Sequence, residues 1–462
     1  MRQRLPFSTW QLVIVVTTIL IVLTWQARII KNNWRYARGY EQEWVAGSLL
    51  DGYGYSFDPA TAWLGPYGYG NAYTLTAWVD PLYTSVIAAV MKLSAEYGRL
   101  ILALLNVLWL GASGVMIFLL VGEILDYQFG IYASLLFLIV EACRRDVVLY
   151  LGNAALAGSL YCLSAYLLLR CLKNPSLTNC IFLGAVISVA NLNHAGSLLL
   201  APLSALVIGS SIGIRKITAW RNSIVVLVTA ASLLTPWILR NYVVFHHFVP
   251  IRSGFGYQLY IGNPGLARTF TPGLKFDVLA HEPPWTANGP LQSLLLLRNL
   301  EYDRALRNHS IQVIRETSSA EYQSYNEVER DHVFLARSLA FIRAEPLLAL
   351  KMMFWKAIAF LTYWKFDLSL VSIAAIAGGL LMIKDVRVAG LMLIVAGYMV
   401  PFILSMPLYY RYRSPIEPML FVLAGLFLGI CLQRATPLWN EIKGWLRSHV
   451  RYIIKQPNFH LK

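Results

Sequence analysis

The sequence predicts an all-α protein that crosses a membrane several times, and three observations lead to this fold class. Of its 462 residues, 57% are hydrophobic and only 14% are charged, whereas soluble domains are about half apolar and about a quarter charged. Apolar segments of about 20 residues, the length that a helix needs to cross a bilayer, recur along the chain. The formal net charge of +15 is typical of basic residues at membrane boundaries, and we expect no nucleic-acid partner.

Ten apolar segments are the candidates for spanning helices. In chain order they are Trp10–Gln26, Arg99–Val121, Gln128–Ala142, Tyr150–Leu169, Leu177–Asn191, Ala195–Ile214, Asn222–Val243, Asp367–Ile383, Val388–Met406 and Pro415–Leu432. An even number of spans places both chain ends on one side of the membrane. The loops on that side then contain Arg170, Lys173, Arg215, Lys216, Arg221, Lys384 and Arg387. Because Lys and Arg collect in cytoplasmic loops, both chain ends are expected in the cytoplasm.

The segment Pro346–Trp364 is apolar, but it contains Lys351 and Lys356. A charged side chain at the centre of a bilayer is costly, so we expect an amphipathic helix that lies on the outer surface. If this segment crossed the membrane instead, the basic tail would lie outside, against the positive-inside rule. The sequence leaves open whether the segment spans the membrane or lies on it.

The spans form a single transmembrane domain over residues 1–432, and residues 433–462 form a basic cytoplasmic tail. Two long polar segments, residues 28–98 and 245–346, are expected as outer loops. Asp80 and Pro81 have the residue types of a helix N-cap and first helical position, which predicts a surface helix over Pro81–Leu93. The absence of proline and glycine from residues 291–344 predicts amphipathic helices there.

The first outer loop contains two acids without an evident local structural role, Glu41 and Glu43. Asp51, by contrast, lies in a glycine-rich turn, where Asp is common. Residues two apart lie on different faces of a helix, so the two glutamates are not expected to form an acid–base pair. A single carboxylate acting as general base is the simpler interpretation, and ion pairing with Arg35 or Arg38 is the alternative.

A helix is expected to begin at Ser414. Ser414 and Glu417 are spaced as a capping box, with Pro415 at the first helical position. This interpretation explains Glu417 without a catalytic role.

An aromatic and basic motif, Tyr409-Tyr410-Arg411-Tyr412-Arg413, precedes this helix. If the motif is extended, Arg411 and Arg413 point to one side and the tyrosines at positions 410 and 412 to the other. Two guanidinium groups at the outer headgroup level suit a lipid-linked phosphate, which they bind through charge-assisted hydrogen bonds. Anchoring of the helix end in the interface is the alternative interpretation.

Other polar residues at outer helix ends have two interpretations each. Arg240 and Arg252 complete a basic cluster, or they serve as an interface anchor and a loop turn. Arg145 is an interface charge or a substrate contact. His194 has the residue type of a helix-end cap, and no second His or carboxylate stands at metal-binding spacing from it. No cofactor is therefore required, and a divalent metal ion is left open.

The order and spacing of these motifs resemble those of the GT-C glycosyltransferases. The closest likeness is to the bacterial branch, similar to glycosyltransferase family 39, that contains relatives of protein O-mannosyltransferases and the lipid A aminoarabinose transferases. The matching segments are Glu41 with residues 46–56, residues 76–83, residues 236–242 through Arg252 and 262–263, and residues 409–418. They span most of the chain.

The resemblance implies a GT-C-type transmembrane helix bundle with two large outer loops and surface-lying juxtamembrane helices. It implies a polyprenyl-phosphate-linked sugar as donor, an acceptor outside the membrane and inversion at the anomeric carbon. The family's first-loop acid falls on Glu41, with Glu43 as the second candidate. Donor-phosphate contacts are implied for Arg413, Arg411, Arg240, Arg252 and Tyr410, and substrate contacts for Asp80, Tyr83 and Arg145.

The sequence departs from the family pattern at three places. Relatives often have Asp-Glu where this chain has Glu41-Gln42, and they often have proline where it has Asp80. Relatives also have another acid near the position that Asn153 occupies in this chain. These departures fit a different acceptor or reduced activity.

The resulting expectation is a hexosyl or pentosyl transferase in the bacterial inner (plasma) membrane, with its active site facing the periplasm. The acceptor is a protein, a lipid or a polysaccharide. Two other classes stay open, a lipid-linked glycan transporter or flippase and a non-catalytic glycan-assembly partner. Transporters of this kind place charged residues near the middle of the membrane, whereas the ionisable groups here collect at outer helix ends.

Overall fold

The computed structural model describes residues 9–58, 73–142, 149–213, 215–265, 325–362, 366–405 and 410–435. Within these ranges the regular structure is helical, except for one small antiparallel sheet. In this sheet Ser56 pairs with Leu75, and Phe57 pairs with Thr74. The predicted all-α class is confirmed, while most of the predicted basic tail lies outside the described residues.

The helices are numbered here in chain order. They are α1 (Thr9–Asn33), α2 (Glu41–Leu50), α3 (Pro81–Leu93), α4 (Gly98–Ile124), α5 (Tyr127–Ala142), α6 (Ala154–Lys173), α7 (Leu177–Asn193), α8 (Leu200–Ile212), α9 (Ile217–Phe245), α10 (Phe255–Tyr260), α11 (Glu327–Ala344), α12 (Pro346–Thr362), α13 (Phe366–Leu381), α14 (Val386–Leu404), α15 (Tyr410–Arg413) and α16 (Ser414–Ala435). The strands β1 (Ser56–Phe57) and β2 (Thr74–Leu75) lie between α2 and α3.

Each of the ten predicted spans falls on a helix. Among the described residues, seven helices are long and apolar enough to cross a membrane, namely α1, α4, α6, α8 with the turn before it, α9, α14 and α16. The remaining three predicted spans fall on shorter apolar helices, Tyr127–Glu141, Leu177–Asn193 and Ser369–Leu381. The protein is therefore a multi-pass membrane protein.

Two predicted spans begin later than expected, because their first residues have other hydrogen-bond partners. The span predicted from Tyr150 begins at Ala154, since Tyr150 forms an isolated parallel bridge with Arg38. The backbone N–H of Leu151 donates to the Arg38 carbonyl oxygen at 2.9 Å. The span predicted from Ala195 begins with a separate 3-10 turn, Ala195–Ser197.

Small residues let the helices of the bundle pack closely, as is common in membranes. A Cβ atom at Gly184 of α7 would lie 2.7 Å from the Val226 carbonyl oxygen of α9, so only glycine fits there. The rings of Phe137 and Phe421 meet edge to face, with 5.3 Å between their centroids. Both rings are fully buried in the largest apolar core of the protein.

Basic and acidic loop residues meet at one end of the bundle. Lys173 pairs with Glu123 at 3.2 Å, and the Arg387 guanidinium donates to the Glu123 carbonyl oxygen at 2.9 Å. The Asn222 amide donates to the Pro175 carbonyl oxygen at 2.9 Å. These contacts join the loops that the charge pattern predicts to be cytoplasmic, so the chain segments between the other helix ends lie at the opposite end.

The two predicted outer loops pack together at that opposite end. The Arg240 guanidinium donates to the carbonyl oxygens of Thr76 at 2.8 Å and Tyr55 at 3.1 Å. From the second loop, the buried Glu327 carboxylate accepts from the Thr76 hydroxyl at 2.5 Å and the Ala77 N–H at 3.0 Å. Burial raises the pKa of Glu327. One polar network therefore holds both loops over the same end of the bundle.

The segment Pro346–Trp364, predicted as a surface helix, forms α12. One of its two lysines, Lys356, has an environment that differs from that of a surface helix. Lys356 is buried, and its ammonium donates to the carbonyl oxygens of Gly262, Leu404 and Ser405 and to the Asn263 side chain, at 3.0–3.4 Å. The sequence analysis placed this segment on the membrane surface because of its lysines, but Lys356 lies inside the protein, where carbonyl groups replace headgroups and water around its charge. The position of α12 relative to a bilayer stays a prediction.

Candidate active site

A cleft at the end of the bundle opposite the basic loops collects polar side chains from seven separate parts of the chain. It encloses about 530 Å³ of space between atoms, including space open to solvent. The residues that line it are Glu41, Gln42, Trp78, Val79, Asp80, Tyr150, Asn153, His194, Arg252, Gln258 and Tyr412. Three predicted site residues, Glu41, Asp80 and Arg252, therefore come together.

Glu41 enters the cleft as the first residue of α2, and a strained turn puts it there. The preceding Tyr40 has φ +48°, which is rare for a residue with a large side chain, and such strain is often found at functional sites. Its ring packs against Tyr150, with 5.8 Å between centroids. A Cβ atom at Gly39 would lie 3.0 Å from the Leu151 carbonyl oxygen. The turn is thus packed against the residues that lead to Asn153.

Glu43 has a structural partner instead of a place in the cleft. Its carboxylate accepts from Arg99 Nη2 at 2.6 Å and Nε at 3.0 Å, and from the Gly39 N–H at 2.8 Å. The prediction that the two glutamates point to different faces is confirmed. Glu43 therefore joins the turn before α2 to the start of α4. Of the two glutamates, Glu41 is the one that lines the cleft.

Asp80 occupies the predicted N-cap position of α3, with Pro81 in the first turn, but its side chain does not cap the helix. One carboxylate oxygen accepts from the Asn153 amide at 2.9 Å, and the other accepts from the Ala195 N–H at 2.9 Å. The capping role predicted for Asp80 is therefore wrong, since its carboxylate binds two other parts of the chain instead.

Asp80 is 97% buried, and burial raises its pKa to about 6, against the opposing effects of Arg252, the Ala195 N–H and Asn153. A carboxyl group in this range changes its charge near neutral pH. The charge of the cleft therefore depends on pH through Asp80.

Among the described residues that line the cleft, Arg252 is the one with a guanidinium or ammonium group. Its Nη1 lies 3.9 Å from Asp80 Oδ2, its side chain is 27% exposed, and its guanidinium lies 5.5 Å from the centre of the Trp78 ring. Arg252 lies in the short segment between α9 and α10. The next residue holds this segment in place, because the Ser253 N–H donates to the Ala77 carbonyl oxygen at 2.9 Å. The Ser253 hydroxyl also donates to Glu327. Arg252 is thus held beside Asp80 and keeps donor groups at the cleft.

Two cleft residues near Asp80 have packing roles as well. The Asn153 amide also donates to the Asn193 carbonyl oxygen at 2.5 Å. His194 ends α7, and its Nδ1 accepts from the Gly196 N–H at 3.1 Å. The prediction that His194 is a helix-end cap is confirmed. The position of His194 at a helix end did not indicate that its imidazole ring also lines the cleft.

Arg413 is not in the cleft. It is 99% buried, and its guanidinium donates to Glu417 at 3.1 Å, to the Phe360 and Leu361 carbonyl oxygens at 3.0 and 2.6 Å, and to the Ser372 hydroxyl at 2.9 Å. Its predicted role in phosphate binding does not fit this burial, because protein groups bind the guanidinium from several sides.

Two local predictions around Arg413 are also wrong. Glu417 pairs with Arg413 instead of completing a capping box with Ser414. The motif before α16 is helical over Tyr410–Arg413, so alternate residues do not share one side. The side chains of Tyr410 and Arg411 lie outside the described part of the structure, and their predicted phosphate contacts stay predictions.

Two other predicted site residues have structural contacts. Arg240 binds the backbone of the first outer loop, and its guanidinium lies 5.0–5.4 Å from the ring centres of Trp237 and Tyr55. The Tyr83 hydroxyl is fully buried and donates to the Asn106 side chain at 2.9 Å. The contacts of Arg240 and Tyr83 explain both residues without a ligand. Arg145 lies outside the described residues.

Sequence reasoning did not select several residues of the cleft. Gln42, Tyr150, Gln258 and Tyr412 each come from a different part of the chain. Tyr412 belongs to the aromatic and basic motif and Gln42 follows Glu41, but the sequence gave neither residue a role in the site. Among the residues that the structure describes, no group of three or more His, Cys, Asp or Glu is placed to hold a metal ion. The divalent metal ion left open above is not tested by this observation.

Comparison with known proteins identifies the fold. No family model matches the sequence, and no curated protein matches it. Archaeal oligosaccharyltransferase AglB from Archaeoglobus fulgidus, in complex with an inhibitory peptide and a dolichol-phosphate, aligns with a TM-score of 0.52 and 13% identity. The alignment covers 96% of this chain and 54% of that chain.

A second structure of the Archaeoglobus fulgidus enzyme, tethered with an acceptor peptide, gives a TM-score of 0.51 and 14% identity. The alignment covers 92% of this chain and 50% of that chain. The chain thus spans about half the length of the oligosaccharyltransferase chains that it matches. At these identities the likeness shows the fold alone, and the chain shares the helical fold of these oligosaccharyltransferase structures.

Proposed function

We propose that this protein is an inverting glycosyltransferase that moves a sugar from a polyprenyl-phosphate carrier to an acceptor at the outer face of the membrane. The observation that carries the proposal is the cleft that brings Glu41, Asp80 and Arg252 together at the end of the bundle opposite the basic loops. The GT-C fold supports it. The two similar oligosaccharyltransferase structures contain a dolichol-phosphate and an acceptor peptide, respectively, which are ligands of the chemical kinds proposed here.

The reaction assigns one task to each charged group of the cleft. A hydroxyl oxygen of the acceptor attacks the anomeric carbon while the bond from that carbon to the phosphate oxygen breaks. The hydroxyl proton passes to Glu41, which acts as general base, and the electron pair of the broken bond leaves with the polyprenyl phosphate. Arg252 stabilises the negative charge that develops on the phosphate, and Asp80 holds Arg252 in position.

Replacing Glu41 with Gln tests this assignment. A positioned base accelerates a reaction by about 10²- to 10⁴-fold, so we expect transfer from a polyprenyl-phosphate sugar to fall by at least about 100-fold. The purified variant in liposomes is assayed with radiolabelled donor, beside Glu96→Gln, an exposed glutamate of the same outer loop. If Glu41→Gln keeps transfer within tenfold of the unchanged protein, Glu41 is not the base.

The same assay separates the two other functional classes. Movement of the lipid-linked sugar across liposomes without transfer would identify a transporter. Full function of Glu41→Gln in cells, together with co-purification of an active transferase, would identify a non-catalytic partner.

We also propose that the cleft faces the periplasm of a bacterial inner membrane, because the basic loops lie at the other end of the bundle. A cysteine introduced at Glu96 is expected to react with a membrane-impermeant thiol reagent in intact cells. A cysteine at Lys216 is expected to react only after the cells are opened. The opposite labelling pattern would contradict this orientation.

A further inference from the structure

Two glutamines of the cleft have buried amide oxygens that lack a hydrogen-bond partner among the described residues, Gln42 Oε1 and Gln258 Oε1. Gln42 stands next to Glu41 in the first turn of α2, and Gln258 lies on α10 in the second outer loop. Both residues line the cleft that contains Glu41, Asp80 and Arg252. Two glutamines from separate loops, each with such an oxygen, therefore line one cleft.

Buried polar atoms of folded proteins are nearly always hydrogen-bonded, and those that are not call for an explanation such as a ligand. A carbonyl oxygen accepts hydrogen bonds, so its missing partner is a donor. The last torsion of a glutamine side chain is soft, and a small rotation of each amide turns its oxygen toward the cleft. Both glutamines can therefore bind a donor group that enters there.

The chemistry of the oxygens selects among the parts of the proposed substrates. An ionised phosphate and a polyprenyl tail have no hydrogen-bond donor to offer, and Arg252 already supplies donors for the phosphate. A sugar ring has several hydroxyl groups, each with one donor. Gln42 is adjacent in sequence to the proposed base, so a hydroxyl bound there lies close to the reacting carbon.

We propose that Gln42 and Gln258 form a hydroxyl-binding subsite that recognises the sugar ring in the cleft and contributes to the choice of sugar. This inference rests on the proposed function, since it takes the sugar of that reaction as its ligand. Sites built to hydrogen-bond a hydroxyl reject analogues that lack it far more strongly than apolar pockets reject a change of size. The two amides are thus specificity determinants, and Glu41 stays the base.

The test uses full-length protein in lipid nanodiscs and short-chain donors, citronellyl phosphate carrying mannose, glucose, galactose or 4-amino-4-deoxyarabinose. Equilibrium binding and transfer are both measured for the best-bound sugar and for its single-position deoxy analogues. The variants are Gln42→Met and Gln258→Met, which keep the side-chain length and remove the amide. Gln128→Met, an exposed glutamine of α5, is the matched control.

We expect each variant to weaken binding of the best sugar donor by about tenfold, the effect of one lost hydrogen bond. Binding of citronellyl phosphate without a sugar stays unchanged. The decisive result is non-additivity of the two changes. The unchanged protein binds one deoxy analogue about tenfold more weakly than the complete sugar donor. The Met variant binds that same analogue as tightly as the unchanged protein does. Gln42→Glu and Gln258→Glu, which keep an acceptor oxygen, restore the preference for the hydroxyl and show that the variants fold.

Three outcomes decide the inference. If the Met variants bind all sugar donors within twofold of the unchanged protein and transfer is also unaffected, the subsite is overturned. If donor binding is unchanged but the KM for the acceptor rises about tenfold, the two amides bind the acceptor and their role in the choice of sugar is overturned. If the unchanged protein binds the sugars with the expected dependence but transfers none of them to any acceptor, the proposed function fails while the subsite stands.

Discussion

Arg252 and Arg413 have the same side chain and lie at the same end of the helix bundle, but the structure uses them in opposite ways. Arg252 lies in the short segment between α9 and α10, beside Asp80, and 27% of its side chain is exposed in the cleft. Arg413 is 99% buried, and Glu417 and groups from two other helices bind it. The comparison shows that a basic motif near a membrane surface is equally consistent with a ligand site and with a structural clamp.

The largest effect expected from this comparison is on stability. Replacing Arg413 with Met leaves the Glu417 carboxylate buried without its ion-pair partner, and breaking a buried pair in this way costs about 3–5 kcal/mol. We expect a lower unfolding temperature and a smaller yield of monodisperse protein, measured by thermal unfolding and size-exclusion chromatography in detergent.

The control for that variant is Arg170→Met, which removes an exposed arginine from α6. Its unfolding temperature should match that of the unchanged protein. If Arg413→Met unfolds at the normal temperature but binds citronellyl phosphate poorly, Arg413 is a phosphate ligand and the comparison is wrong.

Replacing Arg252 with Gln sharpens the comparison from the other side. The variant removes a cation from the place where phosphate charge develops, and such groups contribute about 10²- to 10³-fold to the rate. We expect transfer to fall by about 100-fold. Because Asp80 keeps its hydrogen bonds from Asn153 and the Ala195 N–H, the unfolding temperature should fall less than that of Arg413→Met. Arg252→Lys, which keeps the charge but not the planar geometry, should retain an intermediate rate. Full activity of Arg252→Gln would remove Arg252 from the mechanism.

Asp80 gives the third and smallest effect, a change in pH dependence. Burial raises its pKa to about 6, so below that pH the carboxyl group is protonated and loses its attraction for Arg252. We expect transfer to fall as the pH falls through about 6. Asp80→Asn should have lower activity at all pH values and should lack this limb of the profile. If the limb persists in Asp80→Asn, another group is responsible for it.

The same pKa shift has the opposite sign for stability. Because the folded state binds the Asp80 proton more tightly than the unfolded state, the free energy of unfolding decreases as the pH rises from about 4 to about 6. Asp80→Asn removes this loss, so the variant is expected to gain unfolding temperature relative to the unchanged protein at about pH 8 but not at about pH 4. A gain of equal size at both pH values would contradict the assignment.

Some parts of the fold and site were within reach of the sequence. The helix Pro81–Leu93 follows from Asp80 and Pro81, and the different directions of Glu41 and Glu43 follow from their spacing on a helix. The partners of Asp80 were not within reach, because Asn153 and Ala195 are distant in sequence and neither belongs to a recognisable motif. The burial of Lys356 was missed for the same reason, since its carbonyl partners come from two other segments, Gly262 and Leu404–Ser405.

The sequence by itself determined that this is a multi-pass helical membrane protein, and it determined which loops share the basic end of the bundle. These properties depend on composition and on helix length, which are local. Only the tertiary structure decided that Arg252 faces the cleft and that Arg413 does not. The cleft forms where the two loops predicted to be outer pack on one another, and Glu41, Asp80 and Arg252 become neighbours only after that packing excludes water and fixes each loop.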